Sequence, residues 1–409
     1  MNDLIIIIHM KNWINKVFGF GLASFLSDFS HEMTVSLIPT LVSGFVGPAQ
    51  APLALGIISS TTDAFASFLR LFSGYMSDKI SHKKPLIAIG YGVSAAFSTI
   101  TGFSTSALQL LIFRTLSFTG SALREPPRDA LIAASVEQKY YGRAFGLQRA
   151  MDTLGSLVGP VVAFIATSYF LFSPQSIFLL SFIPGICAVF AIIFLTQDIT
   201  IISRTKRNLA DWRNDIRLLP GSYFALFLIF FIFDLGNINK LLLLMRAQEM
   251  LSHSFVNTLS VVVLLYAIYN ATRAASEFLI GLLSDYINRK TLLAIFGFAI
   301  LATVSWLLMA ASASLLYCAF LFFLAGISMA ATTTLKKAII ADIVPADVRG
   351  FGFGILQTSE GFASLFSSAF IGYLWTHSSV QLAFGYSMFL SICATFLMFL
   401  FIYFNPLKK

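Results

Sequence analysis

Apolar residues in this chain form long continuous runs that short polar segments separate. Each run has roughly 20 or more residues, and a helix of that length, at about 1.5 Å per residue, crosses a hydrocarbon core about 30 Å thick. The pattern predicts twelve membrane-spanning helices, at residues 14–45, 52–77, 85–104, 107–133, 142–169, 175–196, 220–246, 255–284, 291–311, 314–341, 350–374 and 379–404. A transmembrane barrel would instead need alternating segments about ten residues long. The predicted fold class is therefore an all-α integral membrane bundle.

The first predicted span is unusually long, so its helix must tilt, bend or extend beyond the bilayer. We predict a bend at Pro39, because proline disrupts the interior of a helix. Composition supports the membrane assignment, since 57% of the 409 residues are hydrophobic, 11% are charged and the mean hydropathy is +0.82. Soluble domains have a far more polar composition. The three cysteines lie singly in different spans without a CxxC spacing, so we expect them to be packing residues.

Lysine and arginine residues concentrate in alternate loops between the predicted spans. Cytoplasmic loops retain basic residues, so these loops and both basic termini are predicted to face the cytoplasm of a bacterial inner membrane. The same topology accounts for the formal net charge of +8. No basic and aromatic segment stands outside the spans, so the expected surrounding is the lipid bilayer and no nucleic-acid partner is expected.

Short motifs recur in the two halves of the chain at a nearly constant offset. "GYMSD" at 74–78 matches "GLLSD" at 281–285, a shift of 207 positions, and "RDALIA" at 128–133 matches "KKAIIA" at 336–341, a shift of 208. These matches predict a tandem repeat: an N-terminal six-helix bundle at 1–196, a polar cytoplasmic linker at 197–219 and a C-terminal six-helix bundle at 220–409. Repeats of this kind are one way to build a secondary transporter, whose substrate site lies between them.

The loop after the second span, "GYMSDKISHKK", resembles the loop motif of the major facilitator superfamily. The motif residues of the first copy are Gly74, Asp78, Lys79 and Lys83, and those of the second copy are Gly281, Asp285, Arg289 and Lys290. Ser81 and Asn288 stand where the family usually has glycine. We expect the glycines that are kept to allow close helix approach. Asn288 is expected to tolerate left-handed backbone geometry in the tight turn.

The fifth span carries a second resemblance to this superfamily. Gly146, Gly155, Gly159 and Pro160 follow the glycine spacing of its antiporter signature, although Ala163 replaces a final glycine. The resemblance implies an exporter in which this helix seals against its counterpart in the other half. The alternative is a close-packed helix as found in any bundle, since small residues let helix backbones touch. With the twelve-span repeat, the motifs imply the twelve-helix major facilitator fold.

The stretch "DFSHEM" places three ionisable residues inside the first span. Asp28, His31 and Glu32 have i, i+3 and i+4 spacing, so they share one helix face. Ionisable side chains within a span are costly and usually functional. Three interpretations stay open: the carboxylates and imidazole handle protons or substrate; the three side chains bind a divalent metal; or they are hydrated or paired for structural reasons.

Further ionisable side chains in the spans are candidates for proton or substrate handling: Asp63, Arg70, Arg114, Asp152, Asp234, Glu277 and Glu360. Asp234 is the repeat equivalent of Asp28, and Glu360 is the equivalent of Asp152. Matched acids facing one cavity would suit a cation or a proton.

Several charged residues are close enough in sequence to pair locally. We expect ion pairs between Arg149 and Asp152 at i, i+3 and between Arg273 and Glu277 at i, i+4, with Arg149 in a gating or structural role. Arg128 and Asp129 are interpreted as a gating or helix-end ion pair on the cytoplasmic side. Lys336 and Lys337 are interpreted as residues at the cytoplasmic end of a helix.

The sequence as a whole predicts a secondary transporter that works by alternating access, with proton-coupled export of a small solute. No Walker-type phosphate loop is present, so an ion gradient is the expected energy source. The alternative is a transporter of divalent metals or metal chelates of the siderophore type. A membrane receptor or enzyme is a remote alternative, since HExxH and GxSxG motifs are lacking. The expected partners are a small-molecule or ion substrate and protons; no cofactor and no enzymatic activity are expected, and a monomer is the family default.

Overall fold

The computed structural model describes residues 2–80, 82–136, 141–198, 216–252, 258–284, 287–310, 314–345 and 349–404. Within these ranges the chain is built from α-helices joined by short connections, and it has no β-strand. The helices are α1 (Asn2–Val35), α2 (Ile38–Val46), α3 (Ala51–Lys79), α4 (Lys84–Thr101), α5 (Ala107–Ser135), α6 (Tyr141–Ser168), α7 (Pro174–Leu195), α8 (Gly221–Leu235), α9 (Lys240–Leu251), α10 (Thr258–Leu283), α11 (Arg289–Leu292), α12 (Ile300–Leu307), α13 (Leu315–Ile343), α14 (Arg349–His377) and α15 (Val380–Phe404).

The all-helical prediction is confirmed for the described residues. Eight segments are long and apolar enough to cross a membrane: Ala51–Arg70, Leu147–Ser168, Pro174–Leu195, Gly221–Leu251, Thr258–Gly281, Arg289–Leu307, Leu315–Ile340 and Val380–Phe404. The count of twelve spans stays a prediction.

The first predicted span is interrupted near its predicted bend. Helix α1 ends at Val35, and α2 begins at Ile38 after a turn at Ser36 and Leu37. Pro39 lies in the first turn of α2, where its missing N–H group breaks no intrahelical hydrogen bond. The interruption therefore precedes the proline instead of coinciding with it.

The seventh predicted span is also interrupted, at a place that sequence reasoning did not identify. Helix α8 ends at Leu235, residues 236–239 are not helical, and α9 starts at Lys240. Asn239 caps α9, because its side-chain oxygen accepts a hydrogen bond from the backbone N–H group of Leu241 at 2.9 Å. The ninth span departs from α-helical geometry as well, with a π-helix at Leu293–Ala299 between α11 and α12.

Serine caps set the start of three long helices. The hydroxyl of Ser106 accepts from the N–H group of Gln109 at α5, that of Ser173 accepts from Ser176 at α7, and that of Ser314 accepts from Tyr317 at α13. Each bond satisfies a backbone donor that the first helical turn leaves free.

Backbone contacts divide the chain into two compact units. Unit 1 comprises Met1–Ile38 and Phe65–Lys206, and unit 2 comprises Pro39–Ala64 and Arg207–Lys409. The predicted domain boundaries at 196 and 220 stay a prediction. Residues 39–64, which belong to the first half of the sequence repeat, thus pack with unit 2 in this structure.

In unit 1, α1 packs along α6 and α7, and α4 packs along α5 and α7. Its apolar core is formed by these buried residues: Val17, Phe20, Ala23, Ile87, Tyr91, Leu131, Ile132, Ala144, Ala188, Ala191 and Ile192. In unit 2, α10 packs along α13, while α15 contacts α8, α12 and α14. The core of unit 2 includes the stacked rings of Phe233 and Phe298, whose centroids are 4.3 Å apart.

Candidate functional site

A group of ionisable side chains lies between α1, α5 and α6 of unit 1. Asp28 on α1 accepts a hydrogen bond from the hydroxyl of Ser156 on α6, with 3.0 Å between the oxygen atoms. The Asp28 carboxylate also interacts electrostatically with Asp152, Glu32 and Arg124. The acid that opens the DFSHEM stretch therefore faces other charged groups of its own unit.

Two arginines of α5 lie among these acids. Arg128 donates a hydrogen bond to the hydroxyl of Ser24 on α1 at 3.2 Å and forms an ion pair with Asp129 at 3.1 Å. Arg124 lies over the ring of Tyr91, with its Cζ atom 4.1 Å from the ring centroid. The Nε and Nη1 atoms of Arg124 are buried and have no hydrogen-bond partner among the described residues. Sequence reasoning did not single out Arg124 as a candidate.

The predicted local ion pair in α6 is confirmed. Arg149 contacts Asp152, with 3.3 Å between nitrogen and oxygen. Asp152 additionally interacts with Arg128 and Arg124 of α5. The predicted pair of Arg128 with Asp129 also exists, but Arg128 is buried and reaches across to α1. The predicted ion pair is thus confirmed, and Arg128 makes the contact with Ser24 in addition.

The surroundings of His31 and Glu32 in the DFSHEM stretch include an aromatic ring and a second acid. The His31 ring lies edge-on to the ring of Phe118 on α5, with 5.3 Å between centroids, and Arg114 lies over the same ring at 4.9 Å. Glu32 is buried and interacts with Asp28. Among the described residues, no group of three or more His, Cys, Asp or Glu side chains could hold a metal ion. The metal alternative therefore receives no support.

Unit 2 contains a second buried charge cluster, formed by Asp234 of α8, Lys336 of α13 and Glu360 of α14. The Lys336 ammonium lies 2.5 Å from Asp234 Oδ1 and 3.4 Å from Glu360 Oε1. Lys336 and Asp234 are only 4% and 6% exposed. We call this group the Lys336 cluster. Asp234 and Glu360, the repeat equivalents of Asp28 and Asp152, therefore lie in one cluster.

Lys336 corrects the sequence interpretation of this region. A lysine near the end of a predicted span is expected to extend towards water, and Lys337 is indeed exposed. Lys336 instead is buried and bridges two other helices. The repeat could have indicated that Lys336 lies with the acids. Lys336 is the equivalent of Arg128 at the same shift that relates "RDALIA" to "KKAIIA".

The two candidates of the second span have different partners. Asp63 accepts hydrogen bonds from the Asn239 amide at 3.3 Å and from the Ser364 hydroxyl at 3.2 Å, both within unit 2. Arg70 forms an ion pair with Glu125 at 2.7 Å, within unit 1. Although both residues lie on one helix face, they do not form one site. Asp63 instead contacts the residue that caps α9, next to the interruption of the seventh span.

The second predicted local pair is confirmed in α10. Arg273 lies 3.1 Å from Glu277, and the hydroxyl of Thr333 on α13 also contacts Glu277 at 3.4 Å. Glu277 is thereby paired with an arginine of its own helix.

The glycines of the antiporter-like motif bring two helices of unit 1 into backbone contact. A Cβ atom added to Gly159 would lie 2.8 Å from the Phe29 carbonyl oxygen, and one added to Gly155 would overlap the carbonyl oxygen of Phe25. Pro160 is buried inside α6, and the helix continues through it. Close packing of α6 against α1 is therefore established. Sealing against the other half stays a prediction.

The two copies of the loop motif make different contacts. In the first copy, the backbone N–H group of Lys83 donates to Asp198 at 3.3 Å, which ties the loop to the end of the sixth span. In the second copy, Arg289 pairs with Asp342 at 2.7 Å and the Lys290 ammonium lies 4.9 Å from the centroid of the Phe401 ring.

One expectation for the second loop motif was wrong. Asn288 caps α11 with φ at −52°, so its tolerance of left-handed geometry is not used there. Among the described residues, a Cβ atom added to Gly281 would meet no atom within 4 Å, so no close helix approach is observed at Gly281. Asp285 lies outside the described residues, as do the side chains of Asp78 and Lys79 and the surroundings of Gly74 and Gly146.

Comparison with known proteins agrees with the resemblance inferred from the motifs. The family model described as Major Facilitator Superfamily matches residues 20–245 and 222–409. An uncharacterized MFS-type transporter of Methanocaldococcus jannaschii is 32% identical over 388 residues, which cover 94% of each chain. The multidrug resistance protein MdtG of Proteus mirabilis is 25% identical over 197 residues, or 47% of this chain and 48% of its own.

Solved structures support the same fold. The crystal structure of a D-xylose-proton symporter superposes with a TM-score of 0.71 at 15% sequence identity, covering 94% of this chain and 98% of that chain. At this identity the likeness concerns the fold alone.

Proposed function

Because the chain belongs to the Major Facilitator Superfamily of membrane transporters, we propose that it exports a small solute in exchange for protons. The protein is an integral, multi-pass membrane protein, and its substrate is a small molecule that crosses the membrane. Its two repeat halves, 1–196 and 220–409, would move by alternating access around the linker 197–219. In this proposal the transporter is a monomer of the inner membrane with both termini in the cytoplasm.

The observation that carries the proposal is the burial of matched acids in both units. Asp28 lies within a network of charged groups in unit 1, and Asp234 lies against Lys336 in unit 2. Ionisable groups inside a membrane protein are costly to bury and generally mark ion or substrate pathways. A carboxylate that gains and loses a proton in each cycle couples the solute to the proton gradient.

Two further observations favour export. The helix with the antiporter-like glycines, α6, packs its backbone against α1 directly beside the DFSHEM stretch. One relative that covers about half of the chain is named a multidrug resistance protein, a name that fits outward transport.

The test uses proteoliposomes that contain the purified transporter and an internal pH dye. A solute panel that includes amino acids, sugars, metal chelates and lipophilic cations should contain one class that triggers proton flux. In Asp28→Asn and Glu32→Gln, uphill transport should fall at least about tenfold, while solute exchange without a gradient persists in part. The amide introduced by Asp28→Asn can still accept the Ser156 hydrogen bond, so the fold is expected to tolerate it.

Glu249→Gln is the matched control, because Glu249 is a half-exposed acid that pairs with Arg246 away from both clusters. Uphill transport that is unchanged in both Asp28→Asn and Glu32→Gln would remove the coupling role from this stretch. Solute uptake without proton movement in the unmodified protein would contradict proton coupling altogether.

A further inference from the structure

The connection between α6 and α7 exposes large apolar side chains. Its sequence, "YFLFS", carries no charge. Tyr169, Phe170 and Leu171 are 76%, 66% and 77% exposed, and Phe172 is 42% exposed. We call residues 169–172 the aromatic loop. A contiguous exposed apolar patch marks contact with another molecule or with a membrane.

The backbone of the aromatic loop holds these side chains outward. Leu171 has a φ of 52°, in the left-handed region that a leucine rarely adopts. The N–H group of Tyr169 donates to the Ile165 carbonyl at 3.0 Å, and that of Phe172 donates to the Ala166 carbonyl at 3.0 Å. These two bonds tie the loop to the end of α6, in a conformation that leaves its side chains exposed instead of folded onto the helices.

The connection between α2 and α3 also contains a left-handed residue, but its surface is different. Gly47 has a φ of 78°, a geometry that glycine adopts without steric cost. The residues that follow it, Pro48, Ala49 and Gln50, are exposed and are small or polar. The aromatic loop thus combines a strained turn with apolar surface, where a glycine would give the turn alone.

The apolar surface of the loop continues along the two helices that flank it. Ile165 on α6 and both Leu179 and Ile183 on α7 are exposed as well. The flanking segments, Leu147–Ser168 and Pro174–Leu195, are each long and apolar enough to cross a membrane. The loop therefore lies directly at the ends of two spans, where lipid headgroups meet acyl chains.

The composition and size of the aromatic loop fit lipid better than a protein partner. Tyrosine rings accumulate at the membrane interface, because an apolar ring and a polar hydroxyl suit its two sides. A stable protein interface takes about 20–30 residues from each partner. The aromatic loop offers the side chains of residues 169–172 alone.

We propose that the aromatic loop inserts into the lipid interface and anchors the ends of α6 and α7 there. The partner is the bilayer itself, and the side chains of Tyr169, Phe170 and Leu171 lie among the upper parts of the acyl chains. The inference goes beyond the proposed function, since it concerns neither the solute nor the proton.

The test introduces one indole into the loop and determines which quencher reaches it. The unmodified protein already has four tryptophans, so the difference between Phe170→Trp and the unmodified protein reports the added indole. Each protein is placed as a single copy in a phosphatidylcholine nanodisc. With lipid brominated near the top of the acyl chains, the added indole should lose about half of its fluorescence or more, since interfacial side chains reach that depth. Acrylamide dissolved in the water should have little effect on it.

Gln50→Trp is the matched control, because Gln50 is exposed at the end of a span but has small and polar neighbours. Its indole should be quenched by acrylamide and little by brominated lipid, the reverse of Phe170→Trp. Both side chains are exposed, so both variants should melt at the temperature of the unmodified protein. Tyr169→Trp is a second reporter in the loop and should behave as Phe170→Trp does.

Acrylamide quenching of Phe170→Trp and Tyr169→Trp as strong as that of Gln50→Trp would place the loop in water and overturn the assignment. Protection of both loop reporters from both quenchers would overturn it as well, because protein would then cover the loop. A failure of the proposed function gives a different result. If no solute triggered proton flux while brominated lipid still quenched Phe170→Trp, the lipid contact would stand and proton-coupled export would not.

Discussion

The acids of the first and seventh spans are equivalent in the repeat, but the backbone after them differs. Asp28 is followed by a continuous helix up to Val35, whereas Asp234 is followed one residue later by the end of α8. In the interruption at 236–239, the carbonyl oxygens of Gly236 and Asn237 accept hydrogen bonds from serine side chains. The repeat thus preserves the acid while one copy opens the helix beside it.

The two acids also differ in the cationic side chains that surround them. In unit 1, Arg124 and Arg128 of α5 lie among the carboxylates, whereas in unit 2 Lys336 is the partner of both acids. The two halves thus share the positions of their acids. They differ in the cationic side chains that neutralise these acids. Three substitutions would break or sharpen this comparison.

The largest effect is expected for the stability of Lys336→Gln. Removing one member of a buried ion pair leaves the others uncompensated, so the free energy of unfolding should fall by about 3–5 kcal/mol. Thermal unfolding of the purified protein in detergent measures the change. Lys337→Gln is the matched control, because Lys337 is the exposed neighbour in the same helix. Equal melting temperatures for the two variants would show that the Lys336 cluster does not stabilise unit 2.

A smaller effect is expected where the fifth span packs on the first. Gly159→Ala places a methyl group 2.8 Å from the Phe29 carbonyl oxygen, and such overpacking should destabilise the protein by about 1–3 kcal/mol. Gly354→Ala, on the equivalent helix of unit 2, meets no atom of the described residues within 4 Å and should be neutral or stabilising by about 0.5–1 kcal/mol. Identical melting temperatures would contradict the difference in packing between these helices.

The smallest effect concerns the interruption of the seventh span. Asn239→Ala removes the cap of α9 and should cost about 1 kcal/mol of stability. Asn239→Ser keeps a capping hydroxyl but loses the amide that Asn239 donates to Asp63 at 3.3 Å. Comparing the melting temperatures of both variants separates the cap from the Asp63 contact. If Asn239→Ala melted at the same temperature as the unmodified protein, the cap would not hold the start of α9.

Sequence reasoning found most of the residues in the clusters but not their connections. The repeat offset paired Asp28 with Asp234 and Asp152 with Glu360, which the structure places in two charge clusters, and the i, i+3 spacing correctly gave the pair of Arg149 with Asp152. Helical spacing also suggested that His31 and Asp28 act together. The hydroxyl that donates to Asp28 lies on α6, whereas the ring that His31 contacts lies on α5, because residues on one face of α1 meet more than one neighbouring helix.

The sequence by itself determined the helical membrane architecture and the family and predicted a tandem repeat, because the length of apolar runs, the spacing of glycines and recurring motifs are local properties of the chain. Only the tertiary structure decided that Lys336 bridges Asp234 and Glu360, that Arg124 lies among the acids of unit 1 and that Asp63 contacts Asn239. Those contacts join residues far apart in sequence, and the direction in which a side chain leaves its helix depends on the helices packed around it.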